Sequence, residues 1–377
     1  MWKLAWKFIK YDRAKSVGII TAIVISIFLI GQQVGLLLFL MGLMGNLVGN
    51  ANVSDKDIWV IESQTANANT LNKIDQRYVQ QLKSIPGVAQ AYGVVIASGE
   101  ARFLDGNTAG VTVIGSDAPH FVIGPNTSRI FEGTVEDLSL PESVSAEFYN
   151  AKSWNTDLYV NKPIEINGKS AQIKVITKNA QAFGGNYMYT NTANARYFGN
   201  VPAYQISLIS LKLNDVENKE TVIAQINQLY PNLRAWDVKK LQSSTVKEIL
   251  VSSNMGMSFG TLVVFAMISG FFIIGLTLYS SALDRVKDYG TLKAIGANNK
   301  YVNKLLIMQA FLYAIIGFSI AFLLLFGFAQ GVKNSGLNIN FSVGFVSFLL
   351  GITLFISVGG SLFAVRKISK LEPASVF

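Results

Sequence analysis

Cysteine is absent from the 377-residue chain, and histidine occurs once, as His120. Without thiols there is no disulfide framework, no thiolate metal site and no cysteine nucleophile. A lone histidine, here beside Asp117 in "GSDAPHFVIGP", is weak ground for a metal site or a catalytic triad. Charge is also scarce, at 15% of residues against 50% hydrophobic ones. That balance is too apolar for an ordinary soluble domain and points to membrane spans. Some stretches lack charge altogether. No Asp, Glu, Lys or Arg stands between Lys15 and Asp55, Glu248 and Asp284, Lys304 and Lys333, or Lys333 and Arg366. Each stretch holds about 20 or more mostly apolar residues, enough for a helix to cross a hydrocarbon core about 30 Å thick. Four spans are expected, at 18–43, 257–280, 305–329 and 341–364. None contains Asp, Glu, Lys, Arg or His, which argues against a proton relay or an ion-coupled charged site inside them.

The net charge of +9 would suit nucleic acid, but its distribution does not. Residues 51–250 carry 18 Lys+Arg and 19 Asp+Glu, whereas the rest of the chain carries 14 and 4. Of those 14, five precede the first span, five lie between the second and third, and three follow the fourth; Lys333 alone falls in the loop after the third. The positive-inside rule then puts both termini and 281–304 in the cytoplasm, and 44–256 outside with the 330–340 loop. The charge is a topology signal, and nucleic acid is discarded as a partner. The first apolar run is too long for a cleaved signal peptide and no clear cleavage site follows, so a retained helix is expected. Ahead of it, residues 1–17 read as an interfacial helix, with Trp2, Leu4, Ala5, Phe8 and Ile9 on one face and lysines on the other.

Residues 51–250 have the texture of an α+β domain. Strand-like "DIWVIES" (57–63), a helical run to Pro86-Gly87 and β-rich "AYGVVIASG" form one strand–helix–strand half, about 55–100. "ISLISLKL", "ENKETVIAQINQLYPNL" and "LRAWDV" form a second, about 205–245, with "SSTVKEILVSSNMG" as a helical stalk. Between the halves lies an inserted lobe, about 101–204. Its "KPIEINGKSAQIKVI" reads as a hairpin turning at Asn167-Gly168. "GKS" is a turn there and no phosphate loop, since Pro163 stands where the first glycine is needed. "FGGNYMYTNTANARYF" (183–198) reads as a glycine-started loop feeding an aromatic hairpin, or as a tip for a partner or apolar ligand.

Gly31 and Gly35 in the first span, and Gly256 and Gly260 at the start of the second, stand four apart. Small residues at that spacing let helix backbones approach closely in lipid, so these four are candidate packing points between two copies of the chain. Gln32 and Gln33 are polar within the membrane, so at least one should face protein. Between the second and third spans, Val286, Tyr289, Leu292 and Ile295 recur every third residue, with Lys287, Asp288 and Lys293 elsewhere. Gly290 and Gly296 would keep this helix short and allow another surface close. The expectation is a cytoplasmic helix whose apolar face enters a groove on a soluble partner.

"DRVKDYGTLKAIGANNKYV" (284–302) resembles the signature of FtsX-like permease domains, R-x-x-E-[IY]-G-x-L-[KR]-A-[LI]-G-A after the second span. Arg285, Asp288, Tyr289, Gly290, Leu292, Lys293, Ala294, Ile295, Gly296 and Ala297 stand at the matching positions, Asp288 where glutamate is usual and Tyr289 where isoleucine is common. The basic tail (365–377), with Glu372 and Pro373, resembles that family's ending. One span, a large outer domain and three further spans resemble the MacB-type ABC transporter layout. With 15 residues ahead of the first span, a fused ATPase is not expected, as in DevC-like, lipoprotein-releasing LolC/E-type and haem-exporting HrtB-type permeases. The resemblance implies a multi-pass protein of the bacterial inner membrane that pairs with a second copy of itself. Each copy would dock a separate ABC ATPase through 281–304, with Arg285, Asp288, Tyr289, Gly290, Leu292, Lys293, Ala294, Ile295 and Gly296 as coupling residues. That partner would bind ATP and Mg; no cofactor and no catalytic or metal site is expected in this chain. The implied function is ATP-driven export of a hydrophobic or amphipathic substrate by movement of the outer domain, with a periplasmic adaptor and an outer-membrane channel as optional partners. The alternatives are an FtsX-like regulator that activates a cell-wall hydrolase, or a lipoprotein-releasing permease.

Overall fold

The computed structural model describes residues 1–11, 13–65, 67–216 and 218–369. Glu372 and Pro373 lie outside the described residues. The chain opens with α1 (Trp2–Tyr11) and α2 (Arg13–Met44). Then follow α3 (Asn46–Gly49), β1 (Asp57–Glu62), β2 (Ile74–Asp75), α4 (Tyr78–Lys83), β3 (Val88–Phe103), β4 (Thr108–Gly115), β5 (Ile130–Glu132), β6 (Ser143–Glu147), α5 (Asn150–Trp154), β7 (Lys162–Ile166), β8 (Lys169–Thr177), β9 (Tyr187–Thr190), α6 (Thr192–Gly199), β10 (Gln205–Ile206), β11 (Leu208–Leu213), α7 (Lys219–Leu229), β12 (Leu233–Asp237) and α8 (Val238–Ser252). Last come α9 (Met255–Asp284), α10 (Val286–Ala294), α11 (Asn299–Val332) and α12 (Val343–Ser369). The chain divides into two compact units, Met1–Phe39 with the chain from Gly256 onward, and Leu40–Met255.

In the first unit α2, α9, α11 and α12 are each long and apolar enough to cross a membrane. They are apolar around their whole circumference, as a helix in lipid must be, and each satisfies its backbone within itself. Small residues set the crossings. A β-carbon placed on Gly360 would lie 3.0 Å from the Gly275 backbone, so α9 and α12 meet there almost backbone to backbone. Serines add interhelical hydrogen bonds: Ser357 Oγ donates to the Ala310 carbonyl at 2.9 Å, and Ser16 Oγ lies 2.8 Å from the Tyr313 hydroxyl.

The second unit, inserted between the first and second long helices, is α+β. Its strand–helix–strand halves, β1–α4–β3 and β11–α7–β12, interleave in one sheet of order β12-β1-β11-β3, with neighbours antiparallel. This is a split βαβ pattern. Strand β3 is 16 residues long and serves both lobes. Its first half pairs with β11, and its second half, Val95–Phe103, pairs with β4 and β7 in the inserted lobe. The β7–β8 hairpin turns on Asn167 and Gly168, at φ +51° and +74°, the left-handed pair that a two-residue hairpin needs. Residues 183–198 differ from the hairpin expected of them. They form strand β9, parallel to β4, then helix α6, whose first turn is capped by Asn191 accepting from Asn194 N–H at 2.8 Å. Tyr187, Tyr189 and Phe198 are buried in the core, so this segment is no exposed aromatic tip. His120 packs edge-on against Tyr92, and Asp117 accepts from Thr192 N–H at 2.9 Å.

Candidate functional site

Helix α10 carries Asp288 in its first turn and ends by a glycine closure. Gly296 sits at φ +101°, Ala297 N–H donates to the Leu292 carbonyl at 2.9 Å and Gly296 N–H to Lys293 at 3.0 Å. Those are the bonds of a Schellman cap, and only glycine adopts that φ without strain. Gly296 therefore ends the helix.

The packing corrects the partner-facing surface expected of α10. Tyr289 is 1% exposed and Gly290 is also buried. The Tyr289 ring stacks on Phe8 of α1 at 5.8 Å, its hydroxyl lies 3.4 Å from Gln309 Oε1 of α11, and Val302, Leu305 and Ile368 share the cluster. Burial pushes the phenol up to about 12. Arg285 is also buried. Its Nη1 donates to the Phe8 carbonyl at 2.8 Å, and its guanidinium lies 5.3 Å from the Phe8 ring centre. Lys293 Nζ donates to the Ile368 and Ser369 carbonyls at 2.9 and 3.3 Å, where the end of α12 is electronegative; burial pulls the ammonium's pKa down. These side chains fasten α10 to its own unit. The three-residue spacing misleads for a simple reason. At 3.6 residues per turn it drifts about 60° per step, so Val286 and Ile295 end on opposite sides. Exposed instead are Lys287, Asp288, Thr291, Ala294 and Ile295, a stripe covering about a third of the circumference, with Ile295 77% exposed. Leu292 is half-buried.

The glycines of α2 are corrected likewise. A β-carbon on Gly31 would sit 2.7 Å from Leu325 Cδ2 of α11, and one on Gly35 3.1 Å from Ile339. Both glycines are spent on contacts within the protomer. A β-carbon on Gly260 would meet nothing within 4 Å, and Gly256 is half-buried, as are Gln32 and Gln33. Phe8, read in the sequence only as part of an interfacial face, holds the Tyr289 ring together with Gln309; Gln309 and the Gly275–Gly360 crossing were not singled out in the sequence. The one trace of the crossing is the adjacent pair Gly359-Gly360 in a span.

Four helices, each long and apolar enough to cross a membrane, are joined in sequence by an α+β domain between the first and second. Residues 260–373 match the family of FtsX-like permease C-terminal domains. The match spans α10 and the three later long helices. Among solved structures, the chain is similar to the periplasmic region of MacB from Actinobacillus actinomycetemcomitans, at 8% identity and TM-score 0.38, covering 51% of this chain and 94% of that one. It is similar to the extracellular domain of the noncanonic ABC-type transporter YknZ from Gram-positive bacteria, at 13% identity and TM-score 0.35, covering 48% and 99%. It is also similar to a domain of a permease protein from Porphyromonas gingivalis, at 11% identity and TM-score 0.31, covering 48% and 88%. No curated protein matches the chain.

Proposed function

We propose that the protein is the permease subunit of an ATP-driven ABC exporter, working as a homodimer with a separate ATPase. ATP and Mg belong to that partner. The observation that carries this reading is α10. It lies in the FtsX-like domain, is fastened to its own unit by Arg285, Tyr289 and Lys293, and leaves Lys287, Asp288, Thr291, Ala294 and Ile295 uncovered. A rigidly held helix with a mixed polar and apolar free stripe suits transmission of force from a docked partner. Movement would pass from α10 through its unit to the outer domain, which would expel a hydrophobic or amphipathic substrate. Self-association would use the outward faces of the first two spans, with Gly256 and Gly260 the glycines left available to it.

The test is co-purification of the full chain with its cognate ATPase and the ATP hydrolysis of the complex. Ile295→Asp puts a carboxylate where an apolar contact is expected, and Asp288→Arg reverses a rim charge. The first should lower capture about tenfold or more, the scale of a residue contributing 1.4 kcal/mol. The second should mainly slow association and alter its salt dependence. Wild-type capture and hydrolysis in the double variant would refute ATPase docking by this stripe. Capture of a cell-wall hydrolase in place of a transport adaptor would favour the regulatory reading.

A further inference from the structure

The inserted unit holds a cleft of about 420 Å³, between the 68–73 loop, the middle of β3 and the 183–187 segment. That volume falls in the range of small-molecule sites, about 300–1,000 Å³. Leu71, Ile96, Phe183 and Val201 supply apolar wall, and Ser98 and Thr112 supply hydroxyls. Lys73 is the one charged residue lining it. Its ammonium donates to the Ile96 carbonyl and, at 2.9 Å, to Ser207 Oγ. Both acceptors are neutral, a third N–H remains, and no carboxylate pairs with Lys73 among the described residues. Lys73 is exposed as a residue, but partial shielding of its ammonium and the nearby charge of Arg196 both disfavour its charged form. Arg196 is itself bonded to neutral acceptors, the Pro202 and Gln205 carbonyls and Gln76 Oε1, with Asp117 acting on it at longer range. A partly desolvated cation without a counterion gains from an anion brought to it.

We propose that this cleft binds an anionic amphiphile, with a carboxylate or phosphate head at Lys73 and an apolar body along Leu71, Ile96, Phe183 and Val201. The site stands whether or not the chain docks an ATPase. Its test uses the full chain in neutral-lipid nanodiscs. Acylation of Lys73 is followed by peptide mass spectrometry, with exposed Lys83 as internal reference and octanoate, octyl phosphate or octanol as added ligand. At a few times the dissociation constant, either anion should slow Lys73 labelling about fivefold by simple occupancy and leave Lys83 unchanged. Octanol should protect neither. Ser98→Phe, which fills the cleft from an exposed position, should abolish the protection with the fold intact. Protection that appears without added ligand when phosphatidylglycerol replaces the neutral lipid would assign the anion to the bilayer; protection by added octanoate alone would assign it to a free ligand. No protection by either anion, equal protection by octanol, or protection that persists in Ser98→Phe would overturn the proposal.

Discussion

Tyr289 shows how one side chain can be read correctly by type and wrongly by direction. An aromatic residue in a short polar loop between spans marks an anchor, and it is one, but its socket is Phe8, Gln309 and the start of α11. Tyr289→Ala would delete a buried ring, a truncation that costs about 3–5 kcal/mol for large aromatic residues. Tyr289→Phe would keep the stack and lose only the 3.4 Å hydroxyl contact, at about 1 kcal/mol or less. Thermal unfolding of the detergent-solubilised chain should rank wild type near Tyr289→Phe and well above Tyr289→Ala. Equal midpoints for all three would mean that the ring does not hold α10. Gly31 teaches the same lesson. Four-residue glycine spacing announces a close helix contact but not whether the neighbour is another copy or, as here, Leu325 and Leu349 of the same protomer.

Elements were legible where local chemistry and tertiary need agree. The four long helices follow from uncharged runs, and the β7–β8 hairpin from Asn167-Gly168. The two strand–helix–strand halves follow from periodicity, but their interleaving does not, because β1 pairs with β11 and β12 across some 150 residues of chain or more. The 183–198 segment misled because burial in a sheet core, not the glycine start, fixes Tyr187 and Tyr189. The stalk helix α8 offers a test at this scale. Asp237 caps it, Oδ1 accepting from Lys240 N–H at 3.0 Å, and its other oxygen pairs with Lys219. Burial alone would raise this carboxyl's pKa, but the Lys219 ammonium and the Lys240 N–H outweigh burial and hold it below its ordinary value. A carboxyl depressed in the folded state adds stability above its unfolded pKa, about 3.9, and loses it as pH falls through the lower folded value. Asp237→Asn should keep the cap and lose the charge; Asp237→Ala should lose both, the cap alone being worth about 1 kcal/mol. In thermal unfolding at pH 7 the order should be wild type, Asn, Ala. The gap between wild type and Asn should begin to narrow below about pH 4, as the unfolded carboxyl takes up its proton, and close as pH falls through the lower folded value. A gap unchanged down to pH 3 would show that the charge of Asp237 does not stabilise the fold.

At the scale of the whole molecule, what remains to be tested is sidedness, and the charge pattern predicts it. Thirteen of the fourteen Lys and Arg residues outside 51–250 lie in α1 and the first residues of α2, in 285–304, or at 366–370, from the last turn of α12 onward, and one, Lys333, lies in the loop between α11 and α12. Helices resist translocation of basic flanks, and each Lys or Arg near an anionic cytoplasmic leaflet gains about 1 kcal/mol there. Inverting the protein would expose thirteen such residues to the outer side and retain one, a difference too large for the near-neutral inserted domain to offset. Both termini and α10 should then be cytoplasmic and the inserted unit external. The absence of native cysteine makes the measurement clean. Ile295→Cys, on the exposed stripe of α10, and Ser170→Cys, on the exposed face of β8, are each placed alone. A membrane-impermeant maleimide added to intact cells whose outer membrane has been opened should label Ser170→Cys and spare Ile295→Cys. In inverted inner-membrane vesicles the labelling should swap. The reverse pattern would place α10 outside, beyond the reach of any cytoplasmic ATPase, and the exporter reading would fall with it. Labelling of both sites from one side would mean that α9, the long apolar helix between them, fails to span.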